Sequence, residues 1–332
     1  MSGTFRLGVA GGGKWGGNHV ATAASMGVLG AVCDADAALL GNIWARHPDA
    51  RVTTRFEELL TMPVDAVVIA TPAQTHAALA LKAIDAGKHV FVEKPLALTV
   101  EDAQSVAEAA RQRGVKVFVG HIVLYQKAVR SVLERVRSGS IGEVLHVRAR
   151  RASYGRLRFV EDVWWSFAPH DLSTVLEIMG EEPVSASIVR HAYVTTGVAD
   201  FAYADFKFSG DRSAHVEVTW LDPGKGAALD VFGTKRTLSL RETGGKSKLR
   251  IVSCGAKRDG EGRAELWRGD ETTLEFDGDE PLRTELESFI AMIVRDESMP
   301  SDADAGIKVV RALSMCAQPP SVVHELYERM PA

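Results

Sequence analysis

Three glycines near the start of the chain have a spacing that suits contact with a phosphate group. Gly11, Gly13 and Gly16 form the pattern Gly-x-Gly-x-x-Gly between an apolar run (5–10) and a segment with helical periodicity (18–27). In a strand, turn and helix of this order, the first glycine makes the turn and the second lets the backbone approach a pyrophosphate. The third glycine allows close helix packing, and the helix amides then face the phosphates.

An acidic residue ends the next apolar run. Asp34 in LGAVCDAD lies about 20 residues after the glycines, where a carboxylate would hydrogen-bond an adenosine ribose. We therefore predict a dinucleotide site rather than an empty doubly wound domain. The carboxylate favours NAD over NADP because it would repel the extra phosphate. Asp36 reinforces this preference, and Lys14 offsets part of it.

Lys94 is the first candidate for catalysis. It follows the apolar run HVFV, between Glu93 and Pro95, and doubly wound sheets bind ligands at the carboxyl ends of their strands. A partly desolvated lysine beside a positively charged nicotinamide would have a lowered pKa and could act as general base on an alcohol. The alternative is a surface lysine in a proline turn.

The preceding apolar run also ends in polar and proline residues at the predicted ligand edge of the sheet. Thr71 and Pro72 follow VVIA, so we expect their backbone to line the nicotinamide ribose. His76, at the start of the next helix, is predicted to be a structural or phosphate-side neighbour rather than a catalyst.

His170 and Asp171 stand together in the aromatic segment DVWWSFAPHDLS (162–173). An imidazole beside a sugar or hydroxy acid can shuttle a proton or orient the reacting hydroxyl. The alternative is a helix cap, in which Pro169, Asp171 and Ser173 open the helix LSTVLEIMG. Asp171 fits this alternative better than His170 does.

A group of arginines precedes this segment. Guanidinium groups fork onto phosphates, but on an exposed strand they can equally form a solvated face, and the sequence leaves both alternatives open. The group consists of Arg148, Arg150, Arg151, Arg156 and Arg158.

The elements that must position these residues fall into two parts. Residues 1–122 alternate apolar strands with helices, which predicts a Rossmann-type α/β domain with a doubly wound parallel sheet. One helix, Val100 to Arg113, begins with a capping box of Thr99 and Asp102. Residues 123–332 are mostly alternating segments followed by two helices, which predicts an α+β domain on an open, largely antiparallel sheet. Its open face is a candidate surface for a homo-oligomer, a dimer or tetramer.

Composition argues against several other classes of protein. The 332 residues carry 39 basic and 43 acidic side chains, a net charge of -4, so nothing favours nucleic acid binding. The sequence shows no signal peptide and no apolar stretch as long as a membrane helix, so we expect a cytoplasmic protein without a membrane partner. Cys33, Cys254 and Cys316 are widely spaced, which indicates neither a disulfide framework nor a metal site.

Taken together, the motifs resemble those of a known family of dehydrogenases, which includes glucose-fructose oxidoreductase, inositol dehydrogenase and rhizopine catabolism proteins. The order and spacing of that family are matched by GGGKWGGNH, CDAD, ATPAQTH, AGKHVFVEKPLAL, VGHIVLYQKAVRSV, IGEV and APHD. The resemblance covers nearly the whole chain. Within the family, the chain is most similar to the branch that oxidises the 3-hydroxyl of UDP-N-acetylglucosamine-type nucleotide sugars to a 3-keto group.

The resemblance implies a role for each matching residue. Lys94 would be the catalytic lysine and His170 its partner near the reacting hydroxyl, and the arginines would bind the diphosphate of a nucleotide sugar. The residues implied around NAD are Gly11, Gly13, Lys14, Trp15, Gly16, Asp34, Thr71, Pro72, His76, Glu93, Lys94 and Pro95. The residues implied on the substrate side are His121, Tyr125, Arg156, Asp162, Trp165, Ser166 and Asp171.

The chain departs from the family pattern at one position. Ser166 stands four residues before His170, where the family has an aspartate, and an asparagine expected nearby appears as Asp162. A serine is neutral, so it cannot hold a sugar hydroxyl and balance Lys94 as a carboxylate would. Either Asp162 or Asp171 substitutes for the aspartate, or the substrate differs, or the chemistry is weakened.

Three functions are compatible with the sequence. The favoured one is NAD-dependent oxidation of a nucleotide-linked sugar, or the reverse reduction, in which Lys94 takes the hydroxyl proton and His170 orients the oxygen. The second keeps this chemistry on a free sugar, inositol or other polyol, and needs no phosphate grip. The third is a dinucleotide-binding sensor that has lost catalysis. Ser166 favours the third function, whereas Lys94 with His170 favours an enzyme.

Overall fold

The computed structural model of the chain describes residues 5–154, 161–258, 260, 262–316 and 322–323. Unit 1 comprises Met1–Ile122 with Glu280–Val310, and unit 2 comprises Val123–Asp279 with Arg311–Ala332. The helices in chain order are α1 (Lys14–Ser25), α2 (Ala37–Arg46), α3 (Phe56–Thr61), α4 (His76–Asp85), α5 (Val100–Arg113), α6 (Lys127–Arg137), α7 (Val163–Met179), α8 (Pro281–Val294) and α9 (Ala303–Met315). The strands are β1 (Leu7–Ala10), β2 (Leu29–Cys33), β3 (Arg51–Thr53), β4 (Ala66–Ile69), β5 (His89–Glu93), β6 (Val117–Gly120), β7 (Val144–Tyr154), β8 (Ser185–Ala192), β9 (Phe201–Lys207), β10 (Ser213–Thr219), β11 (Leu221–Gly233), β12 (Arg236–Thr243), β13 (Lys246–Arg258), β14 (Ala264–Phe276) and β15 (Val322–Val323).

Unit 1 contains a parallel sheet of six strands in the order β3-β2-β1-β4-β5-β6. This is the strand order of a Rossmann fold and confirms the predicted doubly wound domain. Every residue of β1, β4 and β6 is buried, as expected for parallel strands covered on both faces. The strand order reverses between β1 and β4, so a ligand crevice is expected at the carboxyl ends of these two strands.

The ends of helices in unit 1 follow local signals in the sequence. Helix α5 has the predicted bounds, and Thr99 Oγ1 accepts a hydrogen bond of 3.1 Å from the amide of Asp102. Gly87, just after α4, has φ +72°, a conformation that glycine adopts without strain. Helix α3 was not expected, because its six residues are too few to show a helical period.

Unit 2 is built on a sheet of nine strands in the order β14-β13-β12-β11-β7-β10-β9-β8-β15. Neighbouring strands are antiparallel except for two parallel pairs, β7 with β10 and β8 with β15. Along β9, Ala202, Ala204 and Phe206 are buried, and the residues between them are more exposed. This alternation confirms the predicted α+β domain with one core-facing side of its sheet.

Residues 280–310 correct the predicted domain assignment. The prediction placed everything from residue 123 onward in the second domain, whereas α8 and the first part of α9 belong to unit 1. The physical reason is aromatic packing, since the Phe289 ring centroid lies 5.7 Å from that of Phe91 and 5.6 Å from that of Phe118. The predicted boundary after residue 122 coincides with the observed one. A return of the chain to its first unit leaves no local mark in the sequence.

Two further observations apply to the described part of the chain. None of its helices combines the length and the apolar composition needed to cross a membrane. Nor does it contain a group of three or more histidine, cysteine, aspartate or glutamate side chains that could hold a metal ion.

The two buried cysteines are thiols at neutral pH, because burial raises the pKa of Cys33 to about 11 and that of Cys316 to about 12.

Candidate active site

The glycine turn joins β1 to α1, and its glycines differ in their surroundings. Gly11 has φ +91°, and a Cβ there would lie 2.7 Å from the carbonyl oxygen of Ala70. A Cβ on Gly16 would lie 1.7 Å from the carbonyl oxygen of Gly11, whereas one on Gly13 would have no protein atom within 4 Å. The protein's own packing therefore requires the first and third glycines. The space beside Gly13 suits the pyrophosphate of a dinucleotide.

The N-terminus of α1 is open to an anion. No side chain caps the helix at Gly13, and no acidic residue lies in its first turn. The first backbone amides of a helix lack partners within the helix and carry its positive dipole end. Lys14, exposed in the same turn, adds a positive charge. These groups fit the phosphates of NAD.

Asp34 follows β2 and is held against the glycine turn. Its Oδ2 accepts a hydrogen bond of 2.6 Å from the amide of Gly12, and its Oδ1 accepts one of 2.9 Å from the amide of Asp36. Asp36 itself caps α2, since its side chain accepts from two amides of the first turn. Asp34 is thus fixed beside the turn, where the sequence predicts a ribose contact, while the side chain of Asp36 serves the helix.

Glu93 ends β5 as a buried, ionised carboxylate. Its Oε1 accepts hydrogen bonds from Trp15 Nε1 and from His19 Nε2, the latter at 2.7 Å. Burial by itself raises the pKa of Glu93, but the hydrogen bonds from His19 and Trp15 and the charge of Lys94 outweigh it, so this pKa lies below its usual range. Gly120 leaves room for the carboxylate, because a Cβ there would lie 3.0 Å from Glu93 Oε2.

His19 is a site residue that the sequence analysis missed. It is fully buried in α1, four residues after Trp15, so the two side chains share one face of the helix. Both reach the same carboxylate oxygen of Glu93. The spacing from Trp15 was the available signal, but it does not reveal which acid the histidine meets.

Lys94 and His121 belong to the same cluster in unit 1. Lys94 is half-buried, directly after Glu93, and His121 follows β6 and is buried. Burial lowers the pKa of His121 to about 4 in spite of the nearby Glu93 charge. Neither ring nitrogen of His121 has a hydrogen-bond partner within the described residues. The structure thus brings together a lysine, an ionised carboxylate and a neutral imidazole at the carboxyl ends of β5 and β6. The expected shift in the pKa of Lys94 stays a prediction.

His76 connects the loops that follow β4 and β5. Its Nδ1 lies 2.7 Å from the carbonyl oxygen of Pro95, and its Nε2 lies 2.9 Å from the carbonyl oxygen of Thr71. The side chain is buried. This bracing suits the predicted structural role, because it holds the strand ends that carry Thr71, Pro72 and Lys94 in a common register.

In unit 2, α7 carries the second group of predicted residues. The helix begins at Val163 with Asp162 as its cap, whose side chain accepts a hydrogen bond of 2.9 Å from the amide of Trp165. The alternative in which the helix opens at 169–173 is wrong, since Pro169 lies inside it. Ser166 and His170 are four residues apart and share one face of this helix. Tyr125 is buried in the turn before α6.

Two arginines of the group before the aromatic segment, Arg148 and Arg150, are paired with carboxylates. Arg148 donates to Asp230, with Nη2 at 2.6 Å from Oδ2, and Arg150 donates to Glu217 at 2.9 Å. Arg150 also contacts Asp222. Their positive charges are therefore balanced within unit 2. Arg156 and Arg158 lie outside the described residues.

Comparison with known proteins shows which family the chain belongs to. Residues 5–121 match the model of an oxidoreductase family with an NAD-binding Rossmann fold, and residues 129–239 match the GFO/IDH/MocA C-terminal domain. The chain belongs to the GFO/IDH/MocA oxidoreductase family. Its first domain is thus an NAD-binding Rossmann domain, which confirms the cofactor predicted from the glycine turn and Asp34.

Individual relatives support this placement. UDP-N-acetylglucosamine 3-dehydrogenase of Acidithiobacillus ferrooxidans is 34% identical over 237 residues, which are 71% of this chain and 74% of that protein. An uncharacterized oxidoreductase of Streptococcus pneumoniae is 30% identical over 222 residues, 59% of this chain and 60% of that protein, so the match spans less than two thirds of its length. A solved structure of the Acidithiobacillus enzyme has a TM-score of 0.80 and 27% identity, and the match covers 94% of this chain and 96% of that one.

Both aspartates near the position that departs from the family pattern are engaged within unit 2. Asp162 caps α7 and its Oδ2 accepts from Arg190 at 3.1 Å, while both oxygens of Asp171 accept from Arg151, at 2.9 and 3.0 Å. Burial raises the pKa of Asp171 in spite of the charge of Arg151. These contacts argue against the alternative in which one of the two aspartates replaces the carboxylate missing at Ser166.

We expect the variant Arg151→Met to lower the free energy of unfolding by about 3–5 kcal/mol, because it leaves the buried carboxylate of Asp171 without its partner. Denaturant unfolding at neutral pH measures this loss. Arg250→Met is the matched control, since its forked pair with Glu271 is exposed and should contribute far less. Equal losses in the two variants would contradict the structural role of the Arg151 pair.

Proposed function

We propose that this oxidoreductase uses NAD to oxidise a hydroxyl group of a nucleotide-linked sugar of the UDP-N-acetylglucosamine type to its 3-keto form. The observation that carries the proposal is the position of Lys94, half-buried after the ionised Glu93 at the carboxyl end of β5 in an NAD-binding unit. The 34% identical relative named for this reaction supports the choice of substrate.

In this proposal Lys94 removes the proton from the substrate hydroxyl, and His170 orients the same oxygen. The glycine turn and Asp34 would hold NAD, which would supply the acceptor for the hydride on the carbon that bears the hydroxyl. The Glu93 carboxylate stabilises the lysine ammonium that proton transfer creates. Glu93 is the acid next to Lys94 within unit 1, so it is the carboxylate that balances the lysine. The proposed substrate contacts are His121, Tyr125, Arg156, Asp162, Trp165, Ser166 and Asp171.

A second candidate is oxidation of a free sugar, inositol or other polyol. The pairing of Arg148, Arg150 and Arg151 with carboxylates favours this candidate, because paired guanidinium groups have less charge to offer a diphosphate. Both candidates use the same chemistry at Lys94. The two candidates differ in whether the substrate must carry a phosphate.

For either candidate function, we propose that the protein forms a dimer or tetramer through the more exposed face of the nine-stranded sheet.

The deciding experiment measures NADH absorbance with NAD and a panel of substrates, at enzyme concentrations close to that of the cofactor. A high enzyme concentration reveals a single turnover even when formation of the keto sugar is unfavourable. NADH from UDP-N-acetylglucosamine but not from free N-acetylglucosamine supports the first candidate. NADH from free sugars, inositol or polyols alone supports the second.

The same panel tests the neutral residue on α7. The variant Ser166→Asp restores the family carboxylate, and we expect it to raise the rate with a substrate that the wild type already oxidises. Silence of both proteins across the panel, while calorimetry shows NAD binding, would contradict both candidates. It would favour a dinucleotide-binding sensor.

A further inference from the structure

Glu285 on α8 is an acidic residue that is fully buried. It lies in unit 1, and neither carboxyl oxygen has a hydrogen-bond partner in the described parts of the chain. An ionised carboxylate without partners is strongly disfavoured in such a place, so the carboxyl group is expected to keep its proton. Because α8 returns from the end of the sequence, no local pattern connects Glu285 with the NAD-binding unit.

The side of α8 that carries Glu285 packs toward β5 through two phenylalanines. Phe289 lies one helical turn after Glu285 on α8, and Phe91 lies two residues before Glu93 on β5, so each pair shares one side of its element. The rings of Phe91 and Phe289 are 5.7 Å apart between centroids. A second carboxyl group is thus buried near the ionised Glu93. Burial raises the pKa of Glu285 well above its usual range, and the charge of Glu93 raises it further.

The other titratable groups near Glu93 come from three places. His19 of α1 donates a hydrogen bond to Glu93, Lys94 after β5 contributes a positive charge, and His121 after β6 is neutral. On α8 itself, Arg283 pairs with Glu280 and Glu287 is exposed. Within the described residues, no positively charged side chain forms an ion pair with Glu285.

We propose that Glu285 is a proton-bearing positioning residue of the NAD-binding unit. Because its carboxyl group is neutral, Glu285 adds no second negative charge beside Glu93, which Trp15 and His19 hold next to Lys94. When the pH rises far enough for Glu285 to ionise, its proton passes to solvent hydroxide, and two buried carboxylates then repel each other. Glu93 is displaced from Trp15 and His19, and the affinity of the unit for NAD falls. This proposal rests on the NAD-binding unit and is independent of the substrate.

The proton held by Glu285 in the folded unit makes the free energy of unfolding fall as pH rises. In the unfolded chain the carboxyl group of Glu285 has its ordinary pKa and is ionised at neutral pH, whereas the folded unit retains the proton. Unfolding therefore releases a proton, and stability falls as pH rises until the folded group also ionises. Within this window, each pH unit raises the unfolding equilibrium constant by up to about tenfold. The variant Glu285→Gln lacks the titrating group and loses this contribution.

The test compares wild type, E285Q and E287Q from roughly pH 5 to roughly pH 9, with denaturant unfolding and with NAD affinity by calorimetry. We expect the stability of E285Q relative to wild type to increase with pH, by up to about tenfold in the unfolding constant per pH unit. At the alkaline end, the wild type should lose NAD affinity more steeply than E285Q. E287Q, which removes an exposed carboxylate from the same helix, should follow the wild type. A stability difference that does not change with pH, or a parallel loss of NAD affinity, would overturn the proposal.

Infrared spectroscopy provides a second measurement, whose decisive part needs only the wild type. A protonated carboxyl group has a C=O stretching band distinct from the bands of a carboxylate. We expect such a band at neutral pH, its loss on unfolding, and its absence from folded E285Q. A folded wild type without the band at neutral pH would show that Glu285 is ionised, and the proposal would be wrong.

Discussion

The variant Lys94→Ala is expected to form NADH about 10²- to 10⁴-fold more slowly than the wild type, the usual contribution of a positioned general base. In the variant, water must take the hydroxyl proton in place of the amine that follows Glu93. Single-turnover absorbance with a substrate identified in the panel measures the change. The loss should appear in the rate of the chemical step, because a general base acts in the transition state.

Two controls separate proton transfer from other effects of this change. Lys82→Ala removes an exposed lysine of unit 1 that pairs with Glu57, and it should keep the wild-type rate. A small primary amine added to Lys94→Ala should restore part of the lost rate, since it supplies the missing base. Full activity of Lys94→Ala would show that another group takes the proton.

The variant Gly13→Ala is expected to weaken NAD binding by about 10- to 100-fold while the apo protein stays as stable as the wild type. The new Cβ would meet no protein atom within 4 Å, so the fold has room for it. The same space is where the backbone must approach the pyrophosphate. Forcing a methyl group into a close-packed contact costs about 1–3 kcal/mol, which corresponds to this loss of affinity. Calorimetric titration with NAD measures the change.

Gly17→Ala is the matched control for the glycine turn. Its Cβ would lie 3.6 Å from the carbonyl oxygen of Gly12, an ordinary contact. It should bind NAD as the wild type does, and alanine should favour α1. Wild-type affinity in Gly13→Ala would show that the pyrophosphate does not approach this glycine.

Much of unit 1 was predictable because its signals are local. The glycine spacing, the acid at the end of β2 and the capping box of α5 each depend on a few neighbouring residues. Continuous apolar runs marked the buried parallel strands. Since the carboxyl ends of parallel strands lie on one edge of the sheet, Lys94 could be placed at the ligand side from its position after HVFV alone.

The strand register determines which acids pair with Arg148 and Arg150. Arg148 lies directly opposite Asp230 on β11, and Arg150 lies directly opposite Glu217 on β10. These partners are 82 and 67 residues away in the sequence. No short window of sequence contains both members of such a pair. The sequence alone therefore left a phosphate grip and a solvated face equally open, whereas the register paired these side chains with acids.

The sequence by itself determined the NAD-binding fold, the glycine turn, Asp34 and the position of Lys94, because backbone hydrogen bonding and side-chain periodicity act over short distances. Only the tertiary structure decided that His19 holds Glu93 and that Asp171 is bound by Arg151. It also decided that Glu285, 192 residues after Glu93 in the sequence, is buried in the same unit. The physical reason is that the surroundings of a buried charge are set by packing between distant segments, and packing sets which acid is ionised and which keeps its proton.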